Sequence, residues 1–80
     1  MRARVTVRLK TAVLDPQGET IERALNGLGF PGVKNVRVGK IVELDVDSTD
    51  AAAAKRDLAV MADKLLANPV IESYDVEILP

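Results

Sequence analysis

From Val36 to Val46, valine and leucine recur at 36, 38, 42, 44 and 46, while Arg37, Glu43 and Asp45 occupy the other parity. A strand with one buried face requires this period of two, because successive side chains point to opposite sides of the pleat. The stretch is therefore expected to form the spine of a sheet. Lys40 breaks the pattern by sharing the parity of the apolar set, and Gly39 stands immediately before it. Glycine weakens a strand and supplies no packing, so its presence predicts a kink, a tight turn or close approach of another backbone. Two geometries satisfy the parity: one long strand bent at Gly39, or two short strands joined by a two-residue turn at Gly39-Lys40. The reading adopted is one long bent strand, or two strands with a bend at Gly39. Lys40 then either lays its stem on apolar surface with its ammonium in water, or makes an ion pair at a subunit contact.

The remaining elements follow from the same reading. Residues 2–10 alternate, with Ala3, Val5, Val7 and Leu9 against Arg2, Arg4, Thr6, Arg8 and Lys10, which predicts a first strand. Its basic face is read as a solvated face whose cations discourage edge pairing, in preference to a phosphate site. Asp15-Pro16 marks a helix start, since aspartate caps free amides and proline suits the first helical position. Ile21, Ala24, Leu25 and Leu28 repeat at helical spacing, so a helix over 16–28 is expected to turn this stripe to the sheet. Gly29, Phe30 and Pro31 then read as a left-handed cap and stop. Gly18, in the first turn, costs up to about 1 kcal/mol against alanine, which close approach by a neighbouring chain would offset unless the helix starts later.

Asp47-Ser48-Thr49-Asp50 is a polar break holding cap candidates, after which an alanine-rich helix carries Ala54, Leu58, Met61, Ala62 and Leu65 on one face. It is expected beside the first helix. Asn68-Pro69 ends it, asparagine by tolerating the left-handed conformation and proline by barring continuation. Val70 to Leu79 alternates again and forms the last strand. The order β-α-β(β)-α-β predicts an α+β fold: a two-layer open sandwich with a ferredoxin-like antiparallel sheet and two helices on one face. Residues 1–80 are read as a single domain.

Composition narrows the function classes. Hydrophobic residues make up 48%, yet Phe30 and Tyr74 are the only aromatics, so a thin core must be built from aliphatic side chains. A small core without staples gains stability by assembly, and an oligomer or subunit is expected. The chain has no cysteine and no histidine, which removes disulfides and thiolate or imidazole metal sites. Net charge is −1 with 29% charged residues, which argues against nucleic acid as a partner. No run approaches a membrane span and no export signal is evident, so the protein is read as cytoplasmic.

Motifs for chemistry fail on their own spacing. A phosphate-cradling loop ending at Lys40 would need glycine at 34 and Ser or Thr at 41, where Lys34 and Ile41 stand. A calcium loop from Asp45 would need glycine at 50 and glutamate at 56, where Asp50 and Arg56 stand. Ser48 and Ser73 have no base beside them, and the exposed strand faces carry no aromatic for stacking RNA bases. No catalytic, cofactor-binding or metal residue is assigned. The residues beyond what composition demands are Asp15, Pro16, Gln17, Gly18, Gly39, Lys40, Asn68, Pro69 and Glu72, all expected at subunit contacts or as structural motifs.

These residues fall within Leu14-Asp15-Pro16-Gln17-Gly18, Val36-Arg37-Val38-Gly39-Lys40 and Leu65-Leu66-Ala67-Asn68-Pro69-Val70-Ile71-Glu72. All three segments resemble the signatures of the PurS family, small subunits of phosphoribosylformylglycinamidine synthase, in order and over nearly the whole chain. The resemblance implies a non-catalytic subunit of an ATP-dependent amidotransferase of purine synthesis. Its partners would be the PurL synthetase, which uses ATP and Mg, and the PurQ glutaminase, with a homodimer or homotetramer of the chain itself. No cofactor is implied in this chain. The alternative is an ACT-like small-molecule-sensing module, which shares the βαββαβ order.

Overall fold

The computed structural model describes all 80 residues, Met1–Pro80. The elements are β1 (Arg2–Leu9), α1 (Pro16–Gly27), β2 (Gly39–Asp45), α2 (Ala51–Met61) with a π-helical continuation at Ala62–Leu66, and β3 (Glu72–Ile78). The sheet has the order β2-β1-β3, with both pairs antiparallel. This is the expected α+β arrangement of an antiparallel sheet and two helices.

Because β1 is central, its residues on the α2 side are covered on every flank: Ala3, Val5 and Val7 are buried. Ala54, Leu58 and Ala62 of α2 and its continuation are also fully buried, and Leu58 and Ala62 join the β1 residues in the core. Alanine at 54 and 62 lets the helix lie close. Val42 and Leu44 of β2 and Val76 and Ile78 of β3 pack at the margins and are half-buried. Capping is as expected: Asp50 accepts from the Ala52 and Ala53 amides through Oδ1 at 3.0 and 3.3 Å.

The opposite face corrects the reading of β1 as a cationic edge. Arg4 reaches Glu77 at 3.2 Å and Glu43 at 3.4 Å, Arg2 reaches Asp45 at 3.4 Å, and Arg8 lies 4.0 Å from Asp75. Register explains this, since Arg4 stands opposite Glu43 on one side and Glu77 on the other. The central strand is cationic and both neighbours are anionic, so the cations match strands and guard no edge. Exposed pairs of this kind contribute about 0–1 kcal/mol each.

The spine is shorter than its valines suggest. β2 begins at Gly39, and Val36 to Val38 lie outside the sheet, so neither a long bent strand nor a hairpin at Gly39-Lys40 forms. The cause is local: Asn35 adopts φ +56°, and the Val38 amide donates to the Asp15 carboxylate at 2.7 Å and is not available to a ladder. At the end of α2, Asn68 is not left-handed as expected. Its side-chain oxygen instead accepts from the Val70 amide at 3.1 Å, after a wide helical turn closed by Ala67 N–H to the Ala62 carbonyl at 2.8 Å.

The placement of α1 departs most from expectation. The helix is capped by Asp15 and closed at Gly29 (φ +101°), as anticipated. Its stripe does not turn to the sheet, and α2 does not lie beside it. Ile21 is 41% exposed, Leu28 72% and Phe30 57%. The molecule is correspondingly long, 49 × 28 × 14 Å, with a radius of gyration of 16.0 Å, against about 12 Å for a compact chain of this length. Thus α1 and its return segment form an arm beyond the sheet.

Candidate interaction site

The arm is held at its base by Asp15. Its one carboxylate faces two backbone segments. Oδ1 accepts from the Gly18 amide at 2.9 Å, closing the first turn of α1, and Oδ2 accepts from the Val38 amide at 2.7 Å. Asp15 is only 4% exposed. Its carboxyl is held below the ordinary 3.8, chiefly by the Val38 N–H bond, then by that of Gly18, with Arg37 and the Gln17 amide adding to the effect against desolvation. Arg37 secures the same junction by donating through Nη2 to the carbonyls of Lys10 (3.0 Å) and Val13 (2.8 Å).

Glycine is required at two positions here. A Cβ on Gly18 would stand 2.1 Å from the Val36 carbonyl oxygen, so the helix start and the returning chain touch backbone to backbone. The approaching segment is the chain's own, whereas a neighbouring chain had been expected. A Cβ on Gly39 would stand 2.8 Å from the Val7 carbonyl oxygen, which accounts for glycine at the first residue of β2 by close backbone approach.

A cleft of about 230 Å³ opens at this end of the sheet, lined by Asp15, Gln17, Gly39, Lys40 and Glu72 with Val7, Leu9 and Val38. Five of the nine candidate residues therefore meet there. Pro16 lines the adjoining groove with Thr20, Ile21 and Val38, and Gly18 is buried behind it. Asn68 supports the cleft indirectly: its amide donates to Glu72 Oε1 at 2.7 Å, and the Glu72 amide donates back to the Asn68 carbonyl at 2.7 Å. Pro69 is exposed and outside the cleft. Lys40 is exposed and makes no salt bridge within the chain.

Chemically the cleft can hold and orient, and it lacks an activated nucleophile. Both Asp15 oxygens and one Glu72 oxygen are engaged by amides, and no three His, Cys, Asp or Glu side chains gather as metal ligands. No helix is long and apolar enough to cross a membrane. Sequence reasoning missed Arg37, taken for the wet face of a strand, and the exposure of the α1 stripe. The Arg37 contact had no local signal, because its carbonyl partners lie 24 and 27 residues away.

Comparison with known proteins places this geometry. The family model described as PurS, phosphoribosylformylglycinamidine (FGAM) synthase, matches residues 2–80. The FGAM synthase subunit PurS of Synechocystis is 47% identical over 94% of this chain and 75% of its own length. The crystal structure of Methanocaldococcus jannaschii PurS, one of the subunits of formylglycinamide ribonucleotide amidotransferase, superposes with a TM-score of 0.85 at 42% identity, over 95% of this chain and 92% of that one. A chain of PurLQS from Thermotoga maritima superposes with a TM-score of 0.88 at 36% identity, over 98% and 95%. With a family match along residues 2–80 and relatives this similar over nearly all of its length, the chain belongs to the PurS family of FGAM synthase subunits.

Proposed function

We propose that this chain is the PurS component of a PurLQS-type FGAM synthase in purine biosynthesis, acting as a docking piece between the PurQ glutaminase and the PurL synthetase. The observation that carries this is the family match over residues 2–80, joined by near-complete superposition on a chain of PurLQS from Thermotoga maritima. Glutamine supplies ammonia at the glutaminase. ATP and Mg activate formylglycinamide ribonucleotide at the synthetase, which adds the ammonia to give the amidine. This chain contributes surface and no reacting group. The reading places it in the cytoplasm with those subunits, as a homodimer or homotetramer, without nucleic acid or membrane. Its uncovered arm suits that role, because exposed apolar faces of this kind mark interaction sites.

Reconstitution with the two larger subunits tests the reading. Glutamine-dependent amidine formation should require this chain, and full activity without it would overturn the proposal. Lys40→Ala should weaken assembly while leaving the melting temperature of the isolated chain unchanged, since Lys40 is exposed and without an ion pair. Unchanged assembly would remove Lys40 from the interface.

A further inference from the structure

Register leaves one arginine of the central strand with no carboxylate opposite it. Arg4 faces Glu43 and Glu77, and Arg2 faces Asp45, but Arg8 stands between Gly39 of β2 and Ser73 of β3. Its nearest acidic partner, Asp75, is 4.0 Å away with both side chains well exposed, so that pair holds it weakly. Glycine opposite leaves open space over β2, and the arginine stem occupies its margin: Arg8 Cγ lies 3.5 Å from where a Cβ on Gly39 would stand. A cleft of about 270 Å³ opens there, lined by Thr6, Arg8, Arg37, Gly39 and Lys40 and by no carboxylate. Three cations thus share one opening in a chain whose net charge is −1.

We infer that this cleft binds the phosphoryl group of a phosphate monoester. Arg37 is the fixed element, because its Nη2 is tied to the Lys10 and Val13 carbonyls at 3.0 and 2.8 Å while Nε and Nη1 keep their donors free. A planar guanidinium held in place matches two phosphate oxygens at once. Arg8 and Lys40 add charge, and Thr6 adds a hydroxyl donor. A lone lysine at the start of an edge strand would serve only to discourage edge pairing; two arginines on the same opening, one of them locked by hydrogen bonds, exceed that need. A phosphate monoester carries about 1.5–2 negative charges at pH 7, so three cations favour it over a single carboxylate. The volume falls below the roughly 300–1,000 Å³ of clefts that enclose a drug-sized ligand, so the cleft takes the head group and leaves the rest of a nucleotide outside. Inorganic phosphate and a ribonucleotide 5′-phosphate present the same chemistry to it. This site goes beyond the docking role proposed above and does not depend on it.

The test titrates the full chain with inorganic phosphate, ribose 5-phosphate and ribose at a constant ionic strength of about 0.1 M, where charges beyond about 10 Å are screened. Amide NMR should show saturable shifts centred on Thr6, Arg8, Gly39 and Lys40, with a dissociation constant of about 1 mM for both phosphates and no shift with ribose. Tighter binding of ribose 5-phosphate assigns the site to a ribonucleotide, and equal binding assigns it to inorganic phosphate. Arg37→Gln should weaken binding at least roughly tenfold, the loss expected for charge-assisted hydrogen bonds. Arg8→Gln and Lys40→Gln, at exposed positions, should each weaken it and carry the test if Arg37→Gln disturbs the base of the arm. Asp75→Asn removes the competing carboxylate and should tighten binding. Lys55→Gln, an equal loss of charge at an exposed position on α2, should leave it unchanged. No saturable shift, acetate binding as tightly as phosphate, or a loss in Lys55→Gln equal to that in the cleft variants would each overturn the inference. None of those results touches the FGAM synthase reading, which is decided by reconstituted activity.

Discussion

Replacing Gly18 by alanine places a methyl carbon 2.1 Å from the Val36 carbonyl oxygen and 2.9 Å from its carbon. Ordinary non-bonded carbon contacts lie near 3.5 Å, so the helix start or the returning chain must retreat by more than about 1 Å. The obstacle is backbone, which no rotamer change can relieve. Retreat also lengthens the 2.9 and 2.7 Å bonds by which Asp15 joins Gly18 to Val38. Overpacking of this kind costs about 1–3 kcal/mol, and the rigid obstacle argues for the upper end. Alanine returns up to about 1 kcal/mol through its helix propensity. The net is a loss of about 2 kcal/mol, or roughly 8–16 °C of melting temperature for a domain of this size. Gly27 is the internal control, since it ends the same helix and a Cβ there meets nothing within 4 Å. Gly27→Ala should raise the melting temperature by several degrees, in line with a gain of about 0.4–1 kcal/mol. Thermal melts followed by circular dichroism at one fixed protein concentration measure both. If Gly18→Ala stabilises the chain as Gly27→Ala does, the backbone contact at the arm's base is not real and the argument for a fixed arm fails.

Other consequences can be checked in the same material. The Asp15 carboxyl is held below 3.8 by the Val38 and Gly18 amides, so its contribution is present above the unfolded-state value and is lost as pH falls through the lower folded value. Asp15→Asn should therefore flatten the acid limb of a stability-versus-pH curve below about pH 4, and an unchanged acid limb would contradict the assignment. Leu58→Ala removes the largest fully buried side chain of the core and should cost about 2–5 kcal/mol in chemical denaturation, whereas a loss below about 1 kcal/mol would mean that the site collapses freely. Arg4→Ala leaves Glu43 and Glu77 without their shared cation, with an expected loss of at most about 1 kcal/mol that fades in high salt. A salt-independent loss would point to packing of the arginine stem instead of charge.

How much of this could be read beforehand depends on whether the signal is local. The alternation of Ala3, Val5 and Val7 with arginines, the Asp15-Pro16 start, the Gly29 stop and the Asp50 cap each involve residues a few positions apart, and each stands as the sequence implied. Gly18 and Gly39 were legible as backbone approaches, though not which backbone approaches them. The parity of Val36 and Val38 predicted strand, but parity constrains only side-chain direction, and a carboxylate 23 residues away took the Val38 amide from the ladder.

From the order of residues alone came the element types, an antiparallel α+β class, a core built of small aliphatics, the absence of cysteine and histidine chemistry, and a resemblance to the PurS family. Tertiary structure alone decided that β1 lies between two acidic strands, that the cleft gathers Gln17, Lys40 and Glu72, and that α1 stands off its own sheet. The physical reason is that an amphipathic stripe records that a helix must be covered without recording by what. A handful of hydrogen bonds among Asp15, Arg37 and distant backbone groups fix where the helix points.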